Sequence, residues 1–227
     1  MFIGHMAVAF AAKRAAPRTS LGTLFLTAGW LDLVSPLLLI VGLEHFAFTV
    51  GDTSLSAHSF NDYPLTHSLV ASLVFATCAA ALYLARTRDR GAALVVGAAV
   101  LSHWVLDFAT HRRGMPLLPW HGGPHVGLGL WRHPSVAIVA ESVMFVGALW
   151  LYLGGTRERD RVGRWGPAGF GLFLAALFAA TLVSPPPPNA GVLAGVGLAG
   201  WAIPLVAWWV DRHREPAATT PAPPRPS

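Results

Sequence analysis

The chain has 227 residues, of which 54% are hydrophobic and only 12% charged, with a formal net charge of +5 and one cysteine. A soluble domain carries about a quarter charged residues, so this composition excludes an ordinary soluble enzyme and points to an all-α, polytopic membrane bundle. The basic residues flank apolar stretches instead of forming a continuous basic face, so no nucleic acid is expected as a partner, and a lone cysteine excludes an intrachain disulfide.

In chain order, the first apolar stretch, residues 2–12, is short. A signal peptide places its positive charge ahead of the apolar run; here Lys13 and Arg14 follow it. The stretch is therefore expected to belong to the bundle. Six longer stretches come next, at 21–43, 69–85, 91–108, 136–153, 169–183 and 192–210. Each lies near the ~20 residues a helix needs to cross a bilayer. Pro36 is expected to bend or break the first of them. Cys78, in the second, reads as packing filler. The proline run 185–188 should be a stiff extended connector, and the Pro- and Ala-rich tail, 215–227, should be disordered. Residues 1–134 carry the candidate chemistry, and 135–214 supply the C-terminal membrane helices.

All the Lys and Arg except Arg112, Arg113 and Arg132 fall in alternate loops. The positive-inside rule makes that side cytoplasmic and puts the C-terminus there. At ~1.5 Å per residue from the nearest cytoplasmic arginine, Asp32, His67, His103 and Asp107 lie about 20–28 Å up, with His5 somewhat lower. Separate segments thus bring ionisable groups to the outer half of the membrane, where such groups are costly and generally functional.

His103 and Asp107, four residues apart, share one helix face. They suit a metal, or a His–Asp hydrogen bond between helices. His111 continues that stripe. His67 starts an apolar helix that Thr66 is placed to cap. Asp32, in a proline-disturbed helix, needs a proton or a cation. Glu141 sits in the outer half of its segment and suits a ligand, a general base or a helix–helix hydrogen bond. In the outer loop, His121, His125 and His133 are within reach of the site, and Asp62 is placed to orient His67 or to make a turn. Arg112, Arg113 and Arg132 break the charge rule; they suit an anionic substrate group, or equally lipid headgroups.

These motifs resemble a known family. Gly4-His5, Asp32, Thr66-His67-Ser68-Leu69, Leu101-Ser102-His103-x-x-Leu106-Asp107-x-x-Thr110 and Gly114-Met115-Pro116-Leu117-Leu118-Pro119 are similar, in order, to bacterial predicted membrane-bound metal-dependent hydrolases. Those proteins are also described as LexA-binding, inner-membrane-associated hydrolases. The likeness covers roughly residues 1–120. Two departures stand out: Trp30-Leu31-Asp32 replaces a two-aspartate Pro-Asp-x-Asp motif, and Asp62-Tyr63-Pro64-Leu65 stands where His-Arg-Gly often precedes Thr-His-Ser. A more distant likeness to zinc-dependent phospholipase C favours phosphoester chemistry.

The combined expectation is a divalent-metal site, zinc by preference, held by His5, Asp32, His67, His103 and Asp107. Glu141 would be the base, with His111 beside it, and the substrate a lipid or lipid-linked molecule at the extracytoplasmic face. A proton- or metal-coupled transporter and a non-catalytic scaffold are the alternatives from other classes.

Overall fold

A computed structural model describes residues 1–45, 47–48, 58–59, 63–111, 114–185 and 187–217. The expected disorder beyond residue 217, and the calls on Asp62, Arg112 and Arg113, fall outside the described residues.

Helices dominate: α1 (Ile3–Ala15), α2 (Leu21–Ala28), α3 (Trp30–Ile40), α4 (Pro64–His67), α5 (Leu69–Thr87), α6 (Arg90–Thr110), α7 (Pro134–Gly155), α8 (Arg161–Val183), α9 (Ala190–Ala199) and α10 (Ala202–Arg212). Small polar residues start several of them. Side chains of Ser20, Ser68, Asp89, Asp160 and Asn189 accept from backbone N–H groups three residues on, which satisfies donors that a helix start leaves free. The α5–α6 hairpin turns tightly through Arg88, which adopts a left-handed φ of 58°.

Three two-stranded antiparallel ladders join loops: β1 (Ala47–Phe48) with β2 (His58–Ser59), β3 (Met115–Pro116) with β4 (His125–Val126), and β5 (Thr156–Glu158) with β6 (Arg214–Pro216). The last of these orders Glu215 and Pro216, the start of the segment expected to be disordered. Arg214 pulls it in.

Among the described residues, five stretches are long and apolar enough to cross a membrane: α5, α6, α7, α8 and the run Ala190–Arg212 formed by α9 and α10. The pair α2–α3 makes a sixth if counted as one span bent by 57°. Large apolar side chains point outward, among them Leu94, Trp150 and Leu172 at 72% exposure. On a soluble protein such faces would be a liability. Here they are the surfaces expected of a multi-pass membrane protein.

The short first stretch is the centre of the bundle. α1 packs against α2, α6 and α7, and Phe10 at its middle is fully buried. Around it stand Phe25 at 4.9 Å edge-on, Tyr152 at 5.4 Å and Phe145 at 5.9 Å between ring centroids. A 13-residue helix reaches only ~20 Å. Buried by its neighbours, it need not span. At the other extreme, α5 is the outermost span, and Cys78 on it is exposed instead of filling the core.

The bend in the first long stretch is at Gly29, not at Pro36. Pro36 sits inside α3, and its ring packs on α9. A Cβ added at Gly197 would lie 2.3 Å from Pro36 Cγ, so the glycine is what lets α9 approach. The break at Gly29 ends α2 and leaves the Ala28 carbonyl free for another partner.

Candidate metal centre

That partner is His103. Its Nδ1 lies 2.8 Å from the Ala28 carbonyl. A carbonyl only accepts, so Nδ1 carries a proton, and in the neutral ring Nε2 holds the lone pair. The Nε2 atom is buried without a hydrogen bond. It faces two carboxylates, Asp107 Oδ2 at 3.3 Å and Asp32 Oδ1 at 3.6 Å.

The other candidates converge on the same place. His5, from the first turn of α1, stacks on His103 with ring centroids 3.6 Å apart, and its Nε2 is 3.2 Å from Asp107 Oδ1. His67, at the end of α4, has its Nε2 3.4 Å from Asp32 Oδ1. His5, His67, His103 and Asp107 are buried, while half of the Asp32 side chain is exposed. Among the described residues, two groups of three have potential ligand atoms within 4.8 Å of one another: His5, His103 and Asp107, and Asp32, His67 and His103. They share His103, whose one lone pair can serve one ion at a time.

Tetrahedral zinc with ligand bonds of ~2.0–2.1 Å puts its donors about 3.3–3.4 Å apart. The His–Asp separations here run from 3.2 to 3.6 Å. The spacing is compatible with such an ion, while His5 and His103, stacked nearly parallel, would have to turn for both to bind the same one. Carboxylates beside imidazoles in a buried site call for positive charge, which bound protons, the Met1 amino group or a metal can supply.

A second layer fixes His67. Thr66 was expected to cap the long helix, but Ser68 does so, accepting from Ala71 N. The Thr66 hydroxyl instead bridges Glu44 Oε1 and Oε2, each at 2.9 Å, and His67 Nδ1 at 2.8 Å. A hydroxyl has one proton. It donates to the carboxylate and accepts from Nδ1–H, which turns Nε2 of His67 toward Asp32 as an acceptor. Glu44 is buried, and burial pushes its carboxyl above its usual range against the lowering effect of His67 and Thr66. The sequence signal for Glu44 was faint: one acid in the loop that follows an apolar stretch.

Glu141 has a structural task. Its Oε2 accepts from Phe2 N at 3.1 Å and Gly4 N at 3.3 Å, holding the start of α1 against α7. The Met1 amino group lies 2.7 Å from Asp107 Oδ1, a neighbour the motifs did not indicate. His111 caps α6, with Nδ1 3.0 Å from the Asp107 carbonyl and its ring 4.2 Å from that of Trp131. His121 is exposed and His125 half-buried on β4; neither belongs to a donor group. Arg132 and His133 are exposed at the turn before α7.

Asp32, Asp107, Glu141, Met1 and Trp131 line one end of a cavity of about 390 Å³. The other lining residues are predominantly apolar and come from the start of α1, from α2, α3 and α8–α10, and from Tyr63. Set against family models, curated proteins and solved structures, the chain matches none of them.

Proposed function

We propose that the protein is a membrane-embedded, divalent-metal-dependent hydrolase acting on a lipid or lipid-linked substrate. The observation that carries this reading is the set of acceptor atoms from His5, Asp32, His67, His103 and Asp107 facing one another at zinc-like spacing. Asp32, His67 and His103 are the open half: Asp32 borders the cavity, where a substrate can reach it. His5 and Asp107 are the closed half, next to the Met1 amino group. When bound, the metal supplies Lewis acidity and makes water acidic enough to attack near neutral pH.

The chain's own groups do the rest. Ala28 and Thr66 hold two imidazoles in the ligating tautomer. Glu141 accepts a proton through Oε1, the oxygen that takes no part in holding α1. The aromatic packing of Phe10, Phe25, Phe145 and Tyr152 fills the bundle below the site. That filling favours a one-sided enzyme site over a transport path. The charge pattern supports a site toward the extracytoplasmic face with the C-terminus cytoplasmic, and the family resemblance supports a bacterial inner membrane.

Metal analysis of the purified full chain tests this. About one zinc per chain is expected in the wild type, and background in Asp107→Ala and Asp32→Asn. Equal, negligible metal in all three would remove the metalloenzyme reading.

A further inference from the structure

The cavity behind Asp32 has a construction of its own. α3 leaves the axis of α2 by 57° at Gly29, which opens space beside the cluster. α9 closes the far side by seating Gly197 on Pro36. The Trp201 indole N–H donates to the Leu33 carbonyl at 3.0 Å and ties the α9–α10 junction to α3. Two specific contacts therefore hold the walls apart at a fixed spacing. The space is a built feature, not loose packing.

Its chemistry is asymmetric. Its lining is of two kinds: Asp32, Asp107, Glu141 and Met1, which lie close together around the start of α1, and the apolar Phe178, Leu193 and Ile203 from α8, α9 and α10. Unfilled volume costs stability in proportion to its size, and apolar walls are poor partners for water. Among helices that cross a membrane, the abundant apolar filler is a lipid chain. The volume of about 390 Å³ lies at the small end of the ~300–1,000 Å³ range of ligand pockets, which suits one chain.

We infer that this cavity seats one acyl chain of a membrane lipid, with the ester or phosphoester that ends the chain held at Asp32. The C-terminal helices α8–α10, which lie beyond the family-like motifs, are then the chain-recognition half of the protein. The fate of the head rests on the hydrolase reading; the seat of the chain does not.

The full chain, reconstituted in lipid nanodiscs, is photolysed with trace lipid carrying a diazirine at mid-chain, and adducts are mapped by mass spectrometry. Adducts are expected several-fold enriched on Leu193, Ile203 and Phe178 over the outward-facing Leu94 and Leu172. Ile203→Trp and Leu193→Trp fill the space from two different helices. Each should lower labelling of the remaining wall to the level of the outward faces. One-chain and two-chain probes, run in parallel, identify which lipid supplies the chain. Equal labelling of cavity and outward faces would overturn the inference. Zinc content on the same samples separates the two proposals: an enriched wall with background metal leaves the chain seat and removes the hydrolase, while bound metal with uniform labelling does the reverse.

Discussion

One short helix carries two buried polar clusters, and they are built in opposite ways. At the far end of α1 from the site, Lys13 Nζ meets Asp211 Oδ2 at 2.6 Å and the Thr19 carbonyl at 2.8 Å. Asp211 also accepts from Leu21 N and from the Tyr152 hydroxyl. Buried Arg214 donates through Nε to Thr156 Oγ1 at 2.8 Å and through its terminal nitrogens to the carbonyls of Gly163 and Thr156. Donors face acceptors throughout. At the His5 end, carboxylates and imidazole nitrogens crowd together, and the Met1 amino group donates to Asp107. A satisfied network ties helices together; an acceptor-rich set is one that an added cation can complete. Polarity inside a membrane bundle therefore does not by itself mark a site. The balance of donors and acceptors does.

The sharpest break of that contrast is Lys13→Met. It strands Asp211 in a buried setting and should cost about 3–5 kcal/mol, read by denaturant titration in detergent. The paired change with Asp211→Leu should recover much of the loss, and zinc bound per folded chain should not change. At the other end, His103→Gln should abolish metal binding while lowering metal-free stability by only about 1–3 kcal/mol, the cost of a disturbed buried hydrogen bond. Zinc at a hundredfold excess over its Kd should stabilise the wild type by about 2.7 kcal/mol and leave His103→Gln unmoved.

Thr66→Val tests the second layer. Breaking the Glu44–Thr66–His67 link should weaken metal affinity about 10–100-fold by chelator competition, and Thr66→Ser should restore it. The smallest effect lies at the surface. The Gly163 N–H and the His213 imidazole hold the exposed Asp160 carboxyl below its usual range. A lowered carboxylate pKa adds stability above its unfolded value and loses it as pH falls through the folded one. Stability measured below about pH 4 should therefore drop more in the wild type than in Asp160→Asn.

Legibility varied with the kind of signal. The apolar stretches located the long helices because hydropathy over ~20 residues is a local property. It missed the start of α8, because Arg161 and Arg164 interrupt the apolar run while the Asp160 cap and backbone hydrogen bonds continue the helix. The same signal put a bend at Pro36, whereas the chain bends at Gly29, where an adjacent imidazole satisfies the freed carbonyl. Arginine counting grouped Lys13 and Arg214 as topology charges; both are buried and hydrogen-bonded. Thr66 read as a cap because caps are local, and its bridge to Glu44, 22 residues away, is not.

By itself, the sequence determined a helical, membrane-type chain and the residue types available for metal chemistry, because composition, period and spacing depend only on neighbours along the chain. Tertiary structure alone decided that His5 stacks on His103, that Ala28 and Thr66 fix the imidazole tautomers, and that α8–α10 wall a cavity onto Asp32. Apart from the Thr66–His67 contact between neighbours, itself anchored by Glu44 22 residues away, those relations join residues far apart in the chain. Only the packing of helices against one another brings them within hydrogen-bonding reach.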